Sequence, residues 1–170
     1  MASATFLTLI AAFAGTGEIG PLHCGSGREE VVRGLRKLAL LAPGDTVCGD
    51  LDKFGSVEVG LSQDVLVLLG LDSDGDCSFE LLGRLGQDGH RSEHVHYQEV
   101  LDAPAQQAVP WSTDPAATFP GQRAIRTACG VSLSFTDDHS ERVTADSCPE
   151  CVREPLPGLL LHSIYASIPT

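Results

Sequence analysis

Three cysteines in the C-terminal part of the chain have a spacing that could bind a metal ion. Cys148 and Cys151 form a Cys-Pro-Glu-Cys pair, and Cys129 precedes them. Zinc prefers four tetrahedral ligands, and two intervening residues allow both thiolates of such a pair to bind one ion. The sequence predicts one structural zinc bound by these three cysteines, with His139 from the intervening loop as the fourth ligand.

Other roles stay open for the same sulfur atoms. The fourth ligand could instead be His162, His94 or His96, and the cysteines could form a local disulfide or pack as reduced thiols. A redox-active pair is disfavoured because a thioredoxin-like motif precedes a long helix, whereas Pro155 and Pro157 follow this one.

A second group of possible ligands is the histidine-rich stretch "GHRSEHVHYQE". If residues 94–100 form a strand, His94 and His96 share one face and could bind the metal of a metal-dependent enzyme. An exposed polar strand would have the same pattern. No nucleophile elbow, phosphate loop or carboxylate pair accompanies these histidines.

The charge balance excludes one class of function and favours another. Asp and Glu number 23 against 11 Lys and Arg, which gives a net charge of −12. Nucleic-acid binding draws on clustered basic residues, and the chain has no basic cluster longer than Arg36-Lys37. Such acidity has two interpretations: it keeps the chain soluble, or it attracts a basic protein partner by electrostatic steering, and we predict such a partner. The candidate partner-binding residues are Asp72, Asp74, Asp76 and Glu80.

The same aspartates could suggest a calcium loop. That interpretation is disfavoured because Gly83 stands at the position where a calcium loop requires glutamate.

The chain begins with an apolar stretch that is typical of a folded helix. Phe6, Leu9, Ile10 and Phe13 recur at helical spacing, and no basic residue precedes Arg28, so the pattern of a secretion signal is incomplete. No apolar run approaches the roughly 18 residues of a membrane span. These features predict a cytoplasmic protein without a membrane contact, in which cysteines stay reduced unless they bind metal.

The next two segments predict a helix followed by two strands. Ser26 and Glu29 have the spacing of a capping box, and Pro43 ends the helical pattern. Apolar and polar residues then alternate over 57–61, which predicts a strand with one solvated face. The nearly continuous apolar run 65–71 predicts a strand buried on both faces.

The rest of the chain predicts further strands and a boundary. "CSFELL", "HVHYQEVL", "GVSLSF" and the terminal "GLLLHSIYASI" are strand candidates. We predict an α+β fold in which two N-terminal helices pack on a mostly antiparallel sheet. Its segments are a body over 1–103, a proline-rich connection over 104–125, and a cysteine-bearing lobe with a terminal strand over 126–170.

Two stretches resemble known small proteins. "EIGPLHCGSGREEVVRGL", followed by an alternating strand and "LVLLGLDSDGD", is similar to the opening of small actinobacterial α/β proteins, among them immunity-protein-like members. The later "TACG" and "SCPEC" resemble a cysteine knuckle of short actinobacterial proteins. The resemblance implies an immunity-like, protein-binding function directed at a basic toxin or effector. A zinc-knuckle accessory or regulatory protein is the alternative, beside the metal-dependent enzyme.

Overall fold

The computed structural model describes residues 4–73, 77–86, 91–92, 94–103, 108–137 and 158–168. These residues form an α+β fold, as the sequence predicted. The helices are α1 (Ala4–Thr16), α2 (Arg28–Lys37) and α3 (Tyr97–Asp102). The strands are β1 (Glu18–Ile19), β2 (Leu22–His23), β3 (Leu51–Phe54), β4 (Val57–Ser62), β5 (Val65–Asp72), β6 (Phe79–Glu80), β7 (Arg91–Ser92), β8 (Trp111–Thr113), β9 (Gln122–Thr127), β10 (Ser132–Asp137) and β11 (Leu159–Ser167).

Seven of these strands form one antiparallel sheet in the order β3-β4-β5-β11-β10-β9-β8. The central pair joins distant parts of the chain, because β5 lies beside the C-terminal strand β11. The segment boundaries drawn from the sequence at 103 and 126 therefore do not coincide with a break in the sheet.

The helices pack on one face of the sheet. Phe13 of α1 and Leu35 of α2 belong to the same buried cluster as Val59, Leu69 and Ile164 of the central strands. Successive strand residues point to opposite faces, so the residues between these apolar positions face the other way. We call that second surface the polar face. Its residues include Lys53, Glu58, Asp72, Arg126 and Tyr165.

The predicted first helix is present as α1, but the capping of α2 differs from the prediction. The chain is still extended at Gly27, which bridges to Val65, and Ser26 accepts a backbone hydrogen bond from Leu66 at 2.8 Å. The helix therefore starts after Gly27, whose N–H donates to the Glu30 carboxylate at 3.2 Å. The predicted Ser26–Glu29 capping box is wrong by one residue, and α2 ends at Lys37, before Pro43.

The predicted strand pair is present as β4 and β5, with the burial of the two strands reversed. Residues 57–61 of β4 are all buried, including Glu58 at 8% exposure, whereas β5 has partly exposed positions. Glu58 is covered because Tyr165 and Lys53 both contact it. Gly60 has no side chain, and Leu68 lies close against it.

The remaining strand predictions have mixed outcomes. β6 and β11 lie inside "CSFELL" and the terminal segment, and β10 begins in "GVSLSF" and continues to Asp137. "HVHYQEVL" is wrong as a strand, because α3 begins at Tyr97 after the His96 N–H donates to the Glu99 carboxylate at 3.0 Å. β8 lies in the segment predicted as a connection. Within the described ranges, no helix combines the length and apolar character that crossing a membrane requires.

Candidate functional site

A row of residues crosses four strands on the polar face. The register of the sheet sets Lys53 of β3 opposite Glu58 of β4, Glu58 opposite Gly70 of β5, and Gly70 opposite Tyr165 of β11. Directly paired residues share a face and lie side by side. The row therefore consists of the Lys53 ammonium, the Glu58 carboxylate, a position without a side chain at Gly70, and the Tyr165 phenol.

Gly70 provides the gap that the Tyr165 ring fills. A Cβ atom at Gly70 would lie 2.2 Å from Cδ1 and 2.3 Å from Cε1 of Tyr165, so the ring packs directly on the glycine backbone. The ring thereby crosses β5, and its hydroxyl donates a 2.5 Å hydrogen bond to Glu58 Oε2. A residue with a side chain at position 70 would separate these two groups.

Ion pairs extend the row into a network. Lys53 Nζ lies 3.2 Å from Glu58 Oε1 and 3.2 Å from Asp72 Oδ2, so two carboxylates share one ammonium. His162, the extra residue at a bulge in β11, places Nδ1 3.7 Å from Asp72 Oδ1. The Glu58 and Asp72 side chains are only 10% and 20% exposed. The network is partly sheltered from solvent, and within the described part of the chain its two carboxylates outnumber its one permanent cation.

The phenol of Tyr165 acts as a fixed hydrogen-bond donor. Burial raises its pKa most, and the hydrogen bond to Glu58 and the charge of Asp72 raise it further. Each of these influences disfavours the phenolate. Tyr165 therefore stays protonated at neutral pH and holds Glu58 in place, which suits a preorganised anionic surface better than proton transfer.

The β3–β4 hairpin brings together two of the four predicted partner-binding residues. At its turn, the Ser56 carbonyl accepts from the Asp72 N–H at 2.8 Å, and the Ser56 N–H donates to the Glu80 carbonyl at 2.8 Å. Asp72 and Glu80 thus flank one turn, and Glu80 is exposed. Asp74 and Asp76 lie outside the described residues.

The sequence did not predict Glu58 as a site residue. Its alternating segment predicted a solvated position, and nothing in that segment indicated a contact with Tyr165.

Of the four predicted zinc ligands, Cys129 is the one that lies within the described residues. This residue lies in the turn between β9 and β10, and its thiol donates to the Gly15 carbonyl at 2.6 Å. His139, Cys148 and Cys151 lie outside the described residues. Residues 138–157 follow the far end of β10, about 20 Å from Cys129 at the usual rise per strand residue. The zinc site stays a prediction, and it requires this segment to fold back along β10.

The histidine-rich stretch does not form the strand that was to align its imidazoles. His94 is exposed, and His96 immediately precedes α3. Only a short extended segment precedes the helix: His96 forms an antiparallel bridge to Leu160, and Val95 is buried between the two exposed histidines. Among the residues that the structure describes, no three His, Cys, Asp or Glu side chains are grouped closely enough to hold a metal ion.

Ser26 and His23 form a contact that superficially suggests a nucleophile and its base. Ser26 Oγ lies 3.2 Å from Nδ1 and 3.3 Å from Nε2 of His23. The two ring nitrogens point in different directions within the ring plane, so an oxygen nearly equidistant from both lies over the ring and is bonded well by neither. Ser26 is also only 3% exposed. This pair is a packing contact and lacks the geometry of an activated nucleophile.

Comparisons with protein-family models, curated proteins and solved structures found no match to this chain. The immunity-protein-like resemblance therefore stays a prediction. The function has to be inferred from the polar face and the charges around it.

Proposed function

We propose that this chain is an acidic protein-binding module whose surface at the β3–β4 hairpin binds a basic protein partner. We define this hairpin surface by Glu58, Asp72 and Glu80. One observation carries the proposal: Glu58 and Asp72 share the single ammonium of Lys53, beside the exposed Glu80. Among the side chains that the structure describes, the ion pairs of the hairpin surface therefore leave a net negative charge.

The charge of the whole chain supports this proposal. A net charge of −12 creates a long-range field that attracts a cationic partner and raises the association rate. The network also fixes the direction of its carboxylates, since Tyr165 and Lys53 both contact Glu58. Carboxylates that are ordered before binding lose less conformational entropy when the partner arrives. Under the immunity-like resemblance, this partner is a basic toxin or effector.

Charge-matched variants test the proposal. The probe is an acetylated, amidated and fluorescently labelled peptide in which lysine and valine alternate. Asp72→Asn/Glu80→Gln removes two negative charges at the hairpin surface, whereas the control Glu18→Gln/Glu29→Gln removes two exposed charges elsewhere. We expect the first pair to slow association about three- to tenfold at low salt and to flatten its salt dependence. The control should reproduce only the effect of net charge.

Equal association rates for the two double variants would contradict the proposal, because attraction would then depend on total charge and not on the hairpin surface. Circular dichroism of each variant separates this outcome from unfolding. A measurement over a range of salt concentrations is needed, since screening weakens interactions between exposed charges.

A further inference from the structure

β8 (Trp111–Thr113) is an edge strand of the seven-stranded sheet. It pairs with β9 on one side, and within the described ranges no strand pairs with its other side. An unpaired edge presents backbone N–H and C=O groups that can bind another extended chain. Proteins commonly block such edges with a projecting lysine, a proline or a bulge, and the Trp-Ser-Thr sequence of β8 contains none of these.

Two residues of β8 direct their backbone groups outward. On the β9 side, the Pro110 carbonyl accepts a hydrogen bond at 2.9 Å and the Asp114 N–H donates one at 2.9 Å. Antiparallel ladders alternate between bonded and non-bonded positions, so Ser112, midway between these two residues, also bonds toward β9. Trp111 and Thr113 therefore direct their N–H and C=O groups away from the sheet.

The side chain of Trp111 is exposed at this edge. Trp111 pairs with the buried Thr127 and Thr113 pairs with the buried Ile125, so both side chains lie on the face that the helices cover. Trp111 is nevertheless 41% exposed. Aromatic side chains are enriched in protein interfaces, where their large apolar surface becomes buried. An exposed tryptophan beside an unpaired edge therefore favours contact with another strand.

β8 is complementary to a second copy of itself. Its two outward residues lie one position before and one position after Ser112. An antiparallel second copy of β8 therefore pairs Ser112 with its own equivalent, and Trp111 with Thr113 of the second copy. The outward N–H and C=O groups of both copies are then hydrogen-bonded. Each tryptophan also gains a β-branched cross-strand neighbour, a pair that stabilises sheets.

The charge around β8 suits the approach of a second copy. Two chains of net charge −12 repel each other at long range. The β8–β9 hairpin, residues 111–127, differs from the rest of the chain because its sequence contains Arg123 and Arg126 but only one acidic residue, Asp114. The Arg126 guanidinium binds the Asp114 carboxylate at 3.0 Å. Repulsion between two copies is therefore weak at this edge.

We propose that two copies of this chain associate through β8, in antiparallel pairing across a two-fold axis at Ser112. The seven-stranded sheet of one copy would continue into the sheet of the other. Because both copies use the same strand, the contact closes as a dimer. This inference goes beyond the proposed function, since β3 and β4 lie at the far edge of each sheet and the hairpin surface stays accessible in both copies.

Trp111 reports this association in the unmodified protein, because it is the only tryptophan of the chain. We expect its fluorescence to shift to shorter wavelength as the protein concentration rises, since Thr113 of the second copy shields the ring from water. Sedimentation velocity on the same samples should show a monomer–dimer equilibrium. Salt should strengthen the dimer about three- to tenfold by screening the repulsion between the two copies, the opposite sign to its effect on a basic partner.

Two cysteine variants test the register of the pairing. In a dimer centred on Ser112, the two copies of Ser112→Cys face each other as a non-bonded pair with Cα atoms about 4.5 Å apart, which a disulfide can bridge. Thr113→Cys is the matched control, because its two copies are offset along the strands and their Cα atoms lie more than about 8 Å apart. We expect mild oxidation to link Ser112→Cys and not Thr113→Cys. Since the chain has six cysteines of its own, peptide mapping must locate the bond.

A third pair of variants tests the main-chain hydrogen bonds. Thr113→Pro removes an outward N–H from each copy without breaking the ladder to β9, a position that edge strands tolerate. We expect at least about a tenfold loss of dimer affinity for Thr113→Pro. Thr113→Val keeps the N–H and the branched side chain, so its affinity should change by less than about twofold.

The outcomes decide whether β8 is the dimer contact. A protein that stays monomeric at its highest soluble concentration and at high salt would overturn the proposal. Equal crosslinking of Ser112→Cys and Thr113→Cys would also overturn it, because the copies would then meet only by random collision. A dimer that neither crosslinks at position 112 nor weakens on Thr113→Pro must use another surface. The cysteine comparison is decisive even if Thr113→Pro fails to fold.

Discussion

Replacing Tyr165 by phenylalanine removes the hydroxyl that donates to Glu58 and leaves the ring on Gly70. The bond is 2.5 Å long, and the Glu58 side chain is 10% exposed. A hydrogen bond to a charged acceptor contributes about 1.5–3 kcal/mol to stability. Because Glu58 keeps its ion pair with Lys53, we expect the lower part of this range, a loss of about 1.5–2 kcal/mol. For a domain of this size, that lowers Tm by about 3–8 °C.

The same substitution changes how stability depends on pH. The raised pKa of Tyr165 means that, above about pH 10, the unfolded chain releases this proton while the native chain still holds it. The stabilisation is therefore present below about pH 10 and is lost as the pH rises further. This stabilisation falls by at most about 1.4 kcal/mol per pH unit. The actual fall is smaller because Tyr165 is partly exposed, and solvent weakens the interactions that raise its pKa. Tyr165→Phe lacks this group, so its stability should approach that of the unmodified protein above pH 10.

Urea denaturation at neutral pH and above about pH 10 measures both effects. The matched control is Tyr97→Phe, which keeps its ring against Phe135 at a centroid distance of 4.8 Å. We expect this control to change the free energy of unfolding by less than about 0.5 kcal/mol. If Tyr165→Phe is no less stable than the control, or if its deficit stays constant above pH 10, the proposed role of the phenol is wrong.

Three further predictions concern the network and the cysteines. Gly70→Ala should lower the free energy of unfolding by about 2–3 kcal/mol, because its Cβ overlaps the Tyr165 ring; a loss below 0.5 kcal/mol in urea denaturation would contradict the stacking. Lys53→Met should cost about 1–3 kcal/mol by leaving two neighbouring carboxylates without their shared cation, and equal stability would show that solvent already screens them. Elemental analysis should find one zinc that is lost on Cys148→Ser and retained on His94→Ala, whereas metal-free protein would leave a disulfide or packed thiols.

Local periodicity predicted the elements whose side-chain pattern is decided by neighbours in sequence. α1, the β4–β5 pair and β11 all follow from apolar residues at the spacing of a helix or a strand. The burial of β4 could not be predicted in this way. Glu58 is covered by Tyr165, which is more than 100 residues away in sequence, through the pairing of β5 with β11.

Hydrogen bonds at the start of a helix explain why two local predictions failed, the strand over 94–100 and the Ser26–Glu29 capping box. His96 and Glu99 have the spacing at which a carboxylate caps the helix start, and this contact outweighed the alternating pattern that predicted a strand. At α2, pairing of Gly27 with Val65 kept the chain extended past Ser26. Pairing with a strand distant in sequence accompanies both boundaries, since the Leu66 N–H donates to the Ser26 carbonyl and the Leu161 N–H donates to the Val95 carbonyl.

Mapping the binding of the lysine–valine peptide on the backbone amides of the protein by NMR tests the central claim most directly. We expect the largest chemical-shift changes along β3, at the Ser56 turn and at Glu80, and we expect them to weaken as salt is added. Changes centred on β8 or on α2, or spread evenly over the acidic residues, would contradict a binding surface at the β3–β4 hairpin.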